Sequence, residues 1–240
     1  MKNQNRILAI LIALGVTFML QAEGEKVRKD LIPILKKCYG ANWSKVASSF
    51  LTERGKSKNY YGADNASDSN RETAWGVSKN QGVGEWLYIY NTVDSNKNSY
   101  ELLAGKSQKN YFSFLNGLAK DTTSFEENGR IKKVRIDVYE AEGDLDFMDS
   151  KDPFRVRSGP VENDSFELEL KDTPEEQTFE KNIAIKLKPL SDVAWRSLLF
   201  KLTILETYPG TKSKNVFLTE FHAYSEDIKK EGFKITRERK

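Results

Sequence analysis

Asn65-Ala66-Ser67-Asp68-Ser69-Asn70-Arg71-Glu72-Thr73-Ala74-Trp75-Gly76, followed shortly by Gly82-Val83-Gly84-Glu85-Trp86-Leu87-Tyr88-Ile89, is the stretch from which the fold is read. An oxygen-rich loop lies between two tryptophans, and the second tryptophan begins an alternating segment. That arrangement predicts a loop at the rim of a β-sandwich, with each tryptophan plugging the core and the polar atoms gathered at one point. Aspartate, asparagine and threonine in one turn suit a hard cation or a sugar hydroxyl. They suit an ordinary Asx-turn equally.

Working outward, period-two alternation recurs. Gly129 to Tyr139 reads as a strand whose inward face is Ile131, Val134 after a slip, Ile136 and Val138. Phe166 to Leu170, Phe179 to Leu187, Phe200 to Leu205 and Val216 to Tyr224 alternate likewise, as does the aromatic run Tyr111 to Leu115. Many short strands between Gly-, Asn- and Pro-bearing turns predict an all-β, antiparallel sandwich of jelly-roll type. Trp43 to Leu51 reads as the first strand region, and Thr52 to Ala63 as a loop carrying Tyr60-Tyr61. In a loop, one of two adjacent tyrosines can pack while the other is exposed. Ala141 to Asp164 reads as a polar solvated loop, and Pro189 to Ser197 as a loop bearing Trp195-Arg196. Trp195 serves there either as a ligand platform or as a cap on the core.

The chain termini read differently. Met1 to Arg6 is basic, Ile7 to Leu20 is apolar, and Leu20-Gln21-Ala22 ends on a small residue, the pattern of a secretory signal peptide over 1–22. The apolar run is shorter than the ~20 residues of a membrane span, so no span is expected after signal removal, with an uncleaved signal anchor as the alternative. Residues 23–40 read as a lead-in with a short amphipathic helix that Pro33 limits. Residues 41–225 form the sandwich, and 226–240 a basic tail diluted by acids. The protein is expected to be exported, to the periplasm, the cell surface or the medium.

With 38 basic and 35 acidic residues, the net charge of +3 gives no field suited to nucleic acid. One cysteine, Cys38, permits no internal disulfide, and one histidine, His222, serves few catalytic mechanisms. No phosphate loop or zinc-ligand spacing is present. Among 35 acids, a glycosidase-like carboxylate pair at some spacing is inevitable and so uninformative. A non-catalytic protein is the expectation.

Three ordered motifs resemble one family. Asp68 precedes Thr73 by five and Trp75 by seven, with Gly84-Glu85-Trp86 following. Asn116-Gly117 and then Asn128-Gly129-Arg130-Ile131-Lys132 come next, and Tyr208-Pro209-Gly210 leads into a last strand bearing Thr219-Glu220. Together they resemble discoidin domains, also called coagulation factor V/VIII type C or galactose-binding-like domains, and most closely the bacterial NADase-type glycan-binding domain. The resemblance covers about Ala41 to Tyr224. It departs at Ser69, where the family usually has glycine after the aspartate.

What the resemblance implies is a secreted binding module that recognises carbohydrate or cell-surface glycan through loops at one end of the sandwich. Tyr60, Tyr61, Arg130 and Trp195 are the candidate ligand-binding residues. Arg130 reads alternatively as half of an internal ion pair. A structural calcium ion is implied at Asp68, Asn70, Thr73 and Glu220, tying both ends of the domain together; a metal-free loop held by hydrogen bonds is the alternative. A protein-docking or translocation-assisting domain, or phospholipid binding, is the second functional reading, with another protein as partner.

Overall fold

The computed structural model describes residues 27–40, 45–92, 107–145, 154–187 and 195–225. The expected signal segment and basic tail lie outside these.

Alternation becomes two layers. The first runs β1 (Val46–Ala47), β3 (Trp86–Thr92), β8 (Trp195–Tyr208), β5 (Gly129–Leu145) and β6 (Phe154–Glu169). The second runs β7 (Gln177–Ala184), β4 (Ser107–Asn116), β9 (Val216–Ser225) and β2 (Trp75–Val77). Pairing within each layer is antiparallel, and a two-residue parallel contact of Gly129 and Arg130 with Val216 and Phe217 joins the layers at one end. The result is the antiparallel β-sandwich of jelly-roll, galactose-binding-like type.

Inward side chains from both layers fill one core. Leu87, Ile89, Ile136, Val138, Phe200 and Leu202 face Trp75, Phe112, Phe114, Ile183, Leu218 and Phe221. Phe112 of the second layer meets Phe200 of the first edge-on across the interior at 5.2 Å, and within the second layer Phe114 stacks on its cross-strand partner Phe221 at 4.8 Å. The slip read at Val134 is a register shift between β5 and β8, with Ile131 opposite Thr207 and Val134 opposite Ile204. Between them Lys133 pairs with Glu206, which leaves one residue out of the pairing on each strand and the overall register unchanged, and Ile131 and Val134 are both fully buried.

Several expectations are corrected. The first strand region contracts to Val46–Ala47, and Trp43 lies outside the described residues. The stretch 141–164 is not a solvated loop. β5 continues to Leu145 and β6 begins at Phe154, so these residues are arms of a long hairpin with residues 146–153 outside the described set. Its acids conceal this: Glu140 and Glu142 point inward and are wholly buried, against the usual solvent preference of carboxylates. Trp195 opens β8 rather than sitting in a loop. The loop after Asn116-Gly117 contains a helix, α2 (Thr122–Glu127), capped by the Asp121 carboxylate, which accepts from Ser124 N–H at 2.6 Å.

The lead-in forms α1 (Ile32–Gly40). Pro33 stands in the first turn, where its missing N–H costs nothing, so it starts the helix instead of breaking it. Leu31, Leu35 and Cys38 pack on Tyr88, Tyr139 and Leu199, covering the outer face of the first layer.

Candidate functional site

Two adjoining regions hold Asp68, Asn70, Thr73 and Glu220 in one and Tyr60 and Tyr61 in the other. The first is the loop that opens the family motif, which lies against β9. Asp68 Oδ1 accepts from the Asn70 N–H at 2.9 Å, and Asp68 Oδ2 accepts from the Thr73 hydroxyl at 2.7 Å. The Asn70 N–H also reaches Glu220 Oε1 at 2.8 Å, joining residues 150 positions apart. Asp68, Asn70, Thr73 and Glu220 are therefore brought together. Ser69 sits at φ 60°, the left-handed conformation that a glycine takes without cost, so the departure from the family pattern leaves the turn in place.

Electrostatics in this region follow from burial. Glu220 has no exposed surface, and desolvation first, then the neighbouring Asp68 charge, pushes its carboxyl up to about 9; the Asn70 N–H works against this. His222, whose Nε2 lies 2.8 Å from Glu220 Oε2, is pushed down to about 4 by burial, with Lys45 adding to the shift. Burial favours the uncharged form of both the Glu220 carboxyl and the His222 ring, which face each other at 2.8 Å. The single histidine is thus part of the scaffold under the loop.

These residues carry the chemistry of a hard-cation donor set: two carboxylates, an amide and a hydroxyl. In the structure each carboxylate oxygen already has an N–H, O–H or ring-nitrogen partner. Among the described residues there is no group of three His, Cys, Asp or Glu arranged to hold a metal ion.

The second region is the loop before it. Tyr61 packs edge-on against Phe217 at 5.1 Å, and its hydroxyl donates to Glu53 at 3.1 Å. Tyr60 is 42% exposed, with Lys56 Nζ 4.4 Å from its ring centre. One tyrosine is scaffold and its neighbour faces solvent. Phe50, 36% exposed, stands just upstream. Beside it a cleft of ≈ 350 Å³ is walled by Lys37 of α1, Lys45, Val46 and Ala47 of β1, and Asn59, Asp64 and Asn65. Sequence reading missed this cleft, because α1 must first dock beside β1 to bring Lys37 to the loop.

Arg130 answers to its alternative reading. Its guanidinium grips Asp172 with Nε–Oδ1 at 2.9 Å and Nη2–Oδ2 at 2.6 Å, and donates through Nη1 to the Asn128 and Pro209 carbonyls. Only 8% of the residue is exposed, so it staples the β5 turn to two others. Gly117, at φ 70°, lies so close that an added Cβ would come within 2.7 Å of Arg130 Cγ and 2.8 Å of the Phe125 ring. Gln177 closes the turn before β7, its side chain accepting from Lys171 N–H and donating to Lys171 C=O.

The four candidate ligand residues do not share one rim. Arg130 pairs with Tyr208 at one end of β8, while Gly143 pairs with Trp195 at the other. At ~3.3 Å per residue those positions are about 40 Å apart along β5. Tyr60 and Tyr61 belong with Phe217, the parallel partner of Arg130, so Trp195 stands at the far end of the sandwich.

A family profile described as "NAD glycohydrolase translocation F5/8 type C domain" matches residues 38–224, more than half of the chain. No curated protein matches the sequence. Among solved structures, two cryo-EM classes of a mutant arabinofuranosyltransferase AftD from Mycobacteria are similar at 17% and 16% identity over 75% of this chain, with TM-scores of 0.36 and 0.35. The chain spans only 10% and 11% of their length. A structure described as "CBM4 structure and function" is 10% identical over 59% of this chain and 61% of its own, with a TM-score of 0.26.

Proposed function

Because the chain belongs to the NAD glycohydrolase translocation F5/8 type C domain family, we propose that it is an exported, non-catalytic binding module that recognises carbohydrate or cell-surface glycan. The observation that carries this reading is the exposed ring of Phe50 in a polar cleft lined by Asn59, Asp64 and Asn65, with a second exposed ring, Tyr60, next to Asn59 in the chain. An apolar ring face next to amide and carboxylate groups is what a sugar ring with its hydroxyls requires. Catalysis finds little footing: His222 is buried against Glu220, and the Cys38 thiol is pushed up to about 11 by burial beneath α1. No helix among the described residues is long and apolar enough to cross a membrane.

Calcium belongs to the proposal as a structural ion. Asp68, Asn70, Thr73 and Glu220 would hold it, and its charge would ionise the Glu220 carboxyl that otherwise keeps its proton. Added calcium is then expected to raise the melting temperature and to release a proton; identical melting in calcium and in chelator removes the ion from the account.

A second reading rests on the family description itself: a protein-docking domain that assists translocation, without sugar affinity. A broad glycan array, run with and without calcium, separates the two. Binding that Phe50→Ala abolishes and Trp195→Ala leaves intact supports the glycan reading at this cleft. Silence from a folded protein favours the protein partner.

A further inference from the structure

The cleft lining also specifies a class of sugar. We infer, building on the glycan reading, that the cleft takes a carboxylate-bearing sugar, the acidic residue of a surface polysaccharide, held by Lys37 and Lys45 against the Phe50 ring.

The lining carries two ammonium groups and one carboxylate. One oxygen of that carboxylate is already engaged, since Asp64 Oδ1 accepts the Lys45 backbone N–H at 2.6 Å. Lys37 projects from the last turn of α1 and is exposed, whereas Lys45 is half-buried beside β1. Burial lowers the proton affinity of the Lys45 ammonium, with Asp64 and Cys38 opposing that shift. A ligand carboxylate entering a partly desolvated cleft meets an ammonium that water no longer fully solvates, where the attraction exceeds that at an open surface.

The rest of the lining fits a sugar ring better than a simple anion. Asn65 spends its Nδ2 on the Tyr60 carbonyl at 2.7 Å and the Ala74 carbonyl at 3.3 Å, so what it has left for a ligand is the Oδ1 acceptor. Asp64 is likewise an acceptor. Two acceptors beside two cations match a ligand that brings hydroxyl donors and one negative charge together. They disfavour a phosphate dianion, whose second negative charge adds to the repulsion from Asp64 that a single carboxylate meets.

The test uses a panel of uronate-containing and sialylated oligosaccharides, each beside its carboxyl-reduced counterpart, titrated into the purified protein by calorimetry. The expected result is binding of at least one acidic member, with the reduced counterpart weaker by about tenfold or more and the affinity falling as salt rises. Lys37→Ala, at an exposed position that folding does not depend on, should weaken binding by about threefold, and Lys45→Gln by more. Equal affinity for acidic and reduced sugars, or binding indifferent to Lys37→Ala and Lys45→Gln in folded protein, overturns the acidic class while leaving glycan recognition intact. Failure of every sugar, acidic and neutral, overturns both.

Discussion

The Asp68–Thr73 loop and the Phe50–Asn65 cleft are neighbours in sequence and opposites in chemistry. In the loop, Asp68, Asn70, Thr73 and Glu220 satisfy one another, and Glu220 is wholly buried. In the cleft, Phe50 faces water beside polar groups that include two lysines, and Tyr60, next to the cleft residue Asn59 in the chain, is exposed as well. The motif that announces the family thus builds the frame, and the surface we propose for a ligand lies beside it. A loop whose polar atoms are spent on its own backbone has little left to offer a sugar.

That contrast can be broken at the frame first. Arg130→Met leaves Asp172 without its bidentate partner and frees two carbonyls, and is expected to cost about 3 kcal/mol in a denaturant melt; because Asp172 is partly exposed, the lower end of the usual range applies. Thr73→Val keeps the shape but removes the hydroxyl that Asp68 Oδ2 accepts, for an expected loss of about 1 kcal/mol. A frame indifferent to both changes would mean the hydrogen-bonded closure is not what holds the loop on β9.

Acid and base probe the same frame. Above pH 4.5 an unfolded chain gives up the Glu220 proton that the native protein keeps until about 9, so stability should fall as pH rises through that window. His222 acts at the other side: the native ring refuses a proton down to about 4, and stability should fall as pH drops from 6.5 toward that value. Glu220→Gln, melted in chelator across pH 5 to 9, should abolish the alkaline decline. An unchanged slope would show that Glu220 is not the group responsible.

At the cleft the expected effect on folding is smallest. Phe50→Ala and Tyr60→Ala remove exposed rings and should move stability by no more than about 0.5 kcal/mol, while removing glycan binding. Large destabilisation by either would make these rings part of the core and dissolve the contrast.

How much of this was legible in the chain depends on how local each signal is. Alternation placed Ile131, Val134, Ile136 and Val138 in the core, slip included, because side-chain direction in a strand is a nearest-neighbour property. The spacing of Asp68, Asn70 and Thr73 lies within one turn, and their meeting with Glu220 came from family resemblance. The hairpin arms of β5 and β6 were hidden because Glu140, Glu142 and Asn163 are buried together: Glu140 Oε2 accepts from Asn163 Nδ2 at 2.9 Å and from the Lys186 N–H at 3.0 Å. Buried acids satisfied by distant donors read as surface in a linear sequence. The cleft was illegible for a related reason, since Lys37 reaches it only once α1 has docked over Tyr88 and Leu199.

The central claim is that ligand recognition belongs to the cleft beside the frame, and chemical-shift mapping tests it most directly. With isotope-labelled protein and a sugar that binds on the array, the account predicts that perturbed amides gather at residues 45–65 and on Lys37, with Arg130 and Trp195 unmoved. Perturbations centred on Trp195, or on the Asp68–Glu220 network with the cleft silent, would contradict it.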